Sequence, residues 1–145
     1  MRKNSPWTRW WVAGLLVAGP TPAAADNALI EAVKKADKVA VQALLQQRTD
    51  VNQPEVDGTT ALHWAAQKDD SALVTMLLGA GAHVSPSNRY GVTPLSVACI
   101  NGNAAIVEAL LKHGADPNTS SPEGETALMT SARTARKKDG TVRRR

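Results

Sequence analysis

Few side chains of this 145-residue sequence could do chemistry: three histidines, one cysteine, a few serines and thirteen carboxylates. Their spacing speaks against it. His63, His83 and His113 contain no i, i+4 pair of the kind that holds zinc on one helix face, and no Cys or Glu completes a ligand set. Cys99 stands alone, so neither an intrachain disulfide nor a cysteine metal cluster can form, and a buried structural thiol is the expected reading. Ser96 and Ser131 lie outside any strand-to-helix nucleophile turn. The adjacent carboxylates Asp69 and Asp70 fall where a turn between helices is expected, so their charge is read as solvated. A phosphate-cradling GxGxxG loop is absent, and Gly79-Ala80-Gly81 reads as the end of a helix. Catalytic residues, cofactor and metal are therefore all expected to be none.

Charge and hydropathy divide the chain. Residues 133–145 carry seven basic side chains against Asp139 alone, a net +6, while residues 26–132 carry seven against twelve acids, a net −5. The overall +4 thus reflects a basic tail on an acidic body and does not argue for nucleic acid. The tail also has no aromatic residue to stack on bases. At the other end, Arg2, Lys3 and Arg9 precede the uncharged run Trp10–Gly19. Pro20 and Pro22 break it, and Ala23-Ala24-Ala25 follows. A charged start, a short apolar middle and an A-x-A end make a secretory signal. The run is half of the roughly 20 residues that a membrane span requires. Residues 1–25 are expected to be cleaved after Ala25, giving a periplasmic or secreted protein; an uncleaved anchor is the competing reading.

The positioning elements come from an internal repeat. Gly58, Gly91 and Gly124 are 33 residues apart, and in that register Thr60, Thr93 and Thr126 align, as do Leu62, Leu95 and Leu128. Leu77-Leu78 meets Leu110-Leu111, and Gly81 meets Gly114. Thr60 and Thr93 can cap a helix, with Pro94 at the first helical position, where a missing N–H costs nothing. Leu73, Val74, Leu77 and Leu78 make the apolar stripe of a second helix, which Gly81 ends. Each row is expected to be helix, turn, helix, long loop. No row can bury its stripe alone, so the rows must stack.

The segment Thr93-Pro94-Leu95-Ser96-Val97-Ala98, and Thr60-Ala61-Leu62-His63-Trp64-Ala65-Ala66 before it, resemble the Thr-Pro-Leu-His-x-Ala signature of the ankyrin-repeat family. The run Leu110–Asn118 resembles the usual end of such a repeat. The resemblance implies an all-α solenoid of paired antiparallel helices with loop or hairpin tips. It divides the chain into a degenerate capping repeat over 26–57, full repeats over 58–90 and 91–123, and the start of another over 124–132. Residues 133–145 are either a native basic tail or the remnant of a truncated repeat. The resemblance gives His63 a structural role, holding the loop of its repeat by hydrogen bonds.

The resemblance also implies a monomeric, non-catalytic module that binds a protein through its loop tips and the inner face of its first helices. By register the candidate contacts are Val56, Asp57, Thr59, Gln67 and Lys68 in one repeat. Arg89, Tyr90, Val92, Ile100 and Asn101 follow in the next, and Glu123 and Glu125 in the last. Tyr90 and Arg89 are typical interface anchors; Tyr90 could equally pack on its own loop. Two rivals stay open. The module could be an accessory or immunity-like inhibitor of an exported enzyme, or the basic tail could tether it to a polyanion or membrane surface.

Overall fold

The computed structural model describes residues 27–119 with 124–127, 129, 130, 132 and 133. Six helices run through the described residues in three antiparallel pairs. They are α1 (Ala28–Lys34) with α2 (Lys38–Gln46), α3 (Ala61–Gln67) with α4 (Ser71–Gly79), and α5 (Pro94–Asn101) with α6 (Ala104–Lys112). The fold is an all-α repeat solenoid.

Equivalent chemistry makes the turns in each row. Ala36, Asp69 and Gly102, 33 residues apart, all have positive φ (55°, 60° and 75°), which lets each second helix double back on its first. Asp37, Asp70 and Asn103 then cap the second helices: their side-chain oxygens accept from backbone N–H groups two or three residues on, at 3.0–3.2 Å. Arg48, Gly81 and Gly114 repeat the left-handed geometry after the second helices.

The two kinds of helix bury different side chains. The first helices contribute small side chains to the core (Ala61, Ala65, Ala66, Ala98, Cys99) beside large ones (Leu29, Ile30, Leu62, Leu95), whereas large side chains (Leu73, Leu77, Ile106, Leu110) dominate the second helices α4 and α6. Small residues allow close approach, and α1, α3 and α5 indeed pack more closely row to row than the second helices do. The stack therefore bends toward the first helices, and their side is concave. Burial along the second helices is graded. Leu78 is 6 % exposed, while Leu111, one repeat later, is 41 % exposed. The expected stripe is therefore incomplete at Leu111, on the last second helix among the described residues. Further along, Thr126 accepts from the N–H groups of Met129 and Thr130, by side chain and carbonyl respectively.

Candidate recognition surface

Two loops project beyond the first helices, one around residues 54–59 and one around 87–92. These loops are the first and second fingers. Both are stiffened by short-range bonds. Asp57 accepts from the Thr59 N–H at 2.9 Å, and that bond, before any other influence, holds its carboxyl below the usual range. The Asn88 side-chain oxygen accepts from the N–H groups of Tyr90 and Val92, each at 3.0 Å. The fingers are also bonded to one another. The Arg89 N–H donates to the Asp57 carbonyl at 2.7 Å, and its guanidinium donates to the Val56 carbonyl at 3.2 Å. At Gly58 (φ 85°) an added Cβ would sit 3.2 Å from the Asn88 Cα, so the approach of the two fingers requires glycine.

His63 anchors the second finger from below. It is 3 % exposed. Its Nδ1 accepts from the Thr60 N–H (3.1 Å) and faces the Thr60 hydroxyl (3.0 Å), while Nε2 lies 2.9 Å from the Val92 carbonyl. A carbonyl can only accept, so the ring is the neutral Nε2–H tautomer, and burial pushes its pKa down. Ser96, at the same place in the next row, accepts from the Thr93 N–H and donates to the Thr93 carbonyl. These bonds stay within its own repeat, so Ser in place of His exchanges an inter-repeat bond for a local one.

The candidate contact residues divide sharply. Val56 at 94 % exposure, Tyr90 at 63 % and Ile100 at 54 % are open apolar surface. Gln67, Lys68, Arg89 and Asn101 are exposed and Asp57 is partly so. Thr59 requires correction: it is buried, its hydroxyl facing the Asn88 amide at 3.4 Å, because the neighbouring finger covers it. Val92 is half-buried, its carbonyl held by His63 and by the Asn88 N–H. The Asn101 amide donates to the Ala66 carbonyl at 3.0 Å, tying the ends of α3 and α5 together. Glu125 pairs with Arg133 at 2.8 Å. Glu123, residues 1–25 and the tail beyond Arg133 lie outside the described residues.

A cluster on the concave side was not anticipated. Glu55 of the first finger bonds Lys34 at 2.6 Å and the Trp64 indole N–H at 2.8 Å, and the Lys34 ammonium lies 4.7 Å from the Trp64 ring centroid. Glu31 adds a second carboxylate to Lys34 at 3.3 Å. The Glu55 hydrogen bond, outweighing burial, raises the Lys34 ammonium above its ordinary value. The one available sequence signal was a Trp at the variable position of the signature; partners so distant in sequence gave none. A shallow cavity of about 450 Å³ opens beside it, lined by Asn27, Pro54, Glu55, Val56, Asp57 and Arg89. Among the described residues no group of three or more His, Cys, Asp or Glu side chains could hold a metal ion, and no helix is long and apolar enough to cross a membrane.

Paired helices in register, a concave side lined by the first helices, and rigid fingers with open apolar tips define a solenoid built for surface recognition. Family models agree. One described as ankyrin repeats (3 copies) matches residues 12–88, beginning inside the apolar run near the N-terminus, and one described as ankyrin repeats (many copies) matches residues 81–130. The chain belongs to the ankyrin-repeat family. Such repeats are generally non-catalytic protein–protein interaction modules, and neither match is to an enzyme family. A comparison with curated proteins returned no match.

Proposed function

We propose that this chain is an exported, monomeric recognition module that binds a protein partner through its finger tips and concave side. One observation carries the reading: Tyr90 and Val56 are held open to solvent on fingers whose backbones are otherwise tied down. An aromatic ring on a rigid loop loses little conformational entropy on binding, which is what makes such residues interface anchors. The mature chain, used as bait in a periplasmic extract, should capture a partner. Tyr90→Ala should then weaken binding about thirtyfold, the equivalent of about 2 kcal/mol. Helical content should not change, because the side chain lies outside the stack. Intact binding by the variant would move the contact elsewhere.

Export is supported by the charged start, short apolar run and Ala23-Ala24-Ala25 ending. N-terminal sequencing of the exported protein should begin Asp26-Asn27-Ala28, whereas a full-length, membrane-held product would overturn cleavage. An accessory or inhibitory role toward an exported enzyme would use the same surface and differs only in the partner captured. The net +6 of residues 133–145 favours one reading of another kind, a tether to a polyanion or membrane surface. Deleting those residues separates the two: binding retained supports the repeat surface, and binding lost supports the tether.

A further inference from the structure

One edge of the second helices is covered unequally. On α4 and α6 it is closed: Leu73, Leu77, Ile106 and Leu110 are fully buried, and Met76 and Ala109 are half-buried. On α2 the same three positions are all more open, with Ala40 and Leu44 half-buried and Ala43 exposed. They lie at i, i+3 and i+4 and so share one face of the helix. The neighbouring outer position does not follow this trend: Val39 is exposed, and so are Ala72 and Ala105 one and two rows on. The difference is confined to an edge that is closed in the second and third rows and open in the first, which is the edge that a preceding row closes.

The sequence holds a segment that fits. The apolar residues of α4 and α6 come as two adjacent pairs, Leu73-Val74 with Leu77-Leu78 and Ile106-Val107 with Leu110-Leu111, and Gly81 or Gly114 follows at the same distance. In the N-terminal apolar run Trp11-Val12 and Leu15-Leu16 repeat that spacing, and Gly19 follows as Gly81 and Gly114 do. The match to ankyrin repeats (3 copies) begins at residue 12 and so includes most of this run. Residues 20–27 join it to α1. Eight residues reach up to about 26 Å when extended, well beyond the roughly 8–10 Å between packed helices.

We propose that in the uncleaved chain residues 10–19 lie on the Ala40–Leu44 edge of α2 as the second helix of an incomplete leading row. Spacing selects this occupant, because the run carries the same paired apolar stripe that closes the edge in later rows. Tethering selects it again, since a short linker holds a segment at an effective concentration of about millimolar, which a free partner does not match. The inference is independent of the recognition function proposed above. It meets the export reading at one point: cleavage after Ala25 would bare the edge, so removal of the address would also remove a cap from the stack.

The test uses the full chain with Cys99→Ala, made in a membrane-free translation system so that the leader is retained. Ala40→Cys reports on the edge and Val39→Cys on the outer position beside it. A maleimide should label Ala40→Cys at least about tenfold more slowly than it does when Leu15→Asp and Leu16→Asp are also present, because a covered site reacts only through local opening. Val39→Cys should label at one rate in both backgrounds, and circular dichroism should show helix retained. A second readout needs no disruptive change. With a short bifunctional thiol reagent, Leu16→Cys should cross-link to Ala40→Cys and not to Ala105→Cys, an exposed position at the far end of the stack. Four outcomes overturn the proposal: equal labelling of Ala40→Cys in the two backgrounds, slowing shared by Val39→Cys, slowing that fades on dilution and so belongs to a second copy, or cross-linking that is absent or equal at both positions.

Discussion

His63 is the residue on which the second finger depends, and its chemistry makes that dependence sensitive to acid. Protonation puts a hydrogen on Nδ1, where the Thr60 N–H already points, so a donor would face a donor in a buried site. The neutral ring is favoured by folding, and burial pulls the folded-state pKa below the ordinary 6.5. The unfolded chain thus binds more protons in the window just below 6.5, and stability must fall as pH drops through it. Above that window the contribution is complete. Denaturant midpoints measured from pH 7.5 downward should decline below about 6.5, the unperturbed imidazole value. His63→Ser, which copies the solution used at Ser96, should flatten the decline while lowering the midpoint at neutral pH. An unchanged slope in that variant would place the acid sensitivity elsewhere. The sequence disclosed His63 as structural only through its place in a signature. Its bond to Val92 was not legible, because nothing local identifies an acceptor 29 residues away.

At the scale of the helix, Asp70 does two things that can be separated. It caps α4 by accepting from the Ala72 and Leu73 N–H groups, and it pairs with Lys38 of α2 at 3.0 Å. Asp70→Ala removes both and should cost about 1 kcal/mol, the usual worth of a cap. Asp70→Asn keeps an oxygen for the cap and breaks only an ion pair whose lysine is about half exposed, so most of the loss should be recovered. Thermal melts of the two variants decide it; equal losses would make the ion pair the larger contribution. The boundaries of these helices were largely legible. Caps, turn residues and terminal glycines recur at a fixed period, and each acts on the backbone within a few residues of itself. Asp69 and Asp70 were rightly placed in a turn, yet solvated charge was too bland a description: one adopts the left-handed turn position and the other caps the next helix. Thr59 was misplaced because its exposure is decided by the neighbouring finger, whose approach through Gly58 is a tertiary fact.

For the whole molecule, stability is a sum over neighbours, and the sum is uneven. Leu110 is fully buried and Leu111 is 41 % exposed, although the two are adjacent in one stripe. Leu110→Ala should cost roughly 2–5 kcal/mol, as for buried leucines generally. Leu111→Ala should cost well under that, about 1 kcal/mol or less, since only part of its side chain leaves water. Chemical denaturation of both variants checks the contrast, and equal losses would mean that something covers Leu111. With few complete repeats the melt should be broad and low, whereas a midpoint above about 90 °C, the hyperstable range, would contradict this. The architecture was legible because a repeat states its own packing rule several times. The cluster of Lys34, Glu55 and Trp64 was not, because the residues that vary between rows carry no period.

The bonds that join one row to the next differ in chemistry and share a reach. Asn88 to Thr59, His63 to Val92, Arg89 to Val56, Asn101 to Ala66 and Asn103 to Asp69 all span 29–35 residues, about one row. None of them reaches past the adjacent row. A gene that duplicated residues 58–90 in tandem would therefore encode a longer chain in which the finger bonds recur, His63 again meeting a finger and Gly58 again admitting one, while Lys68 and Asp70 would stand at the new junction where Asn101 and Asn103 bond across now. Length is thus a property that such a chain can change by copying while its finger contacts recur, and its surface can lengthen by one finger at a time to match whatever lies across it.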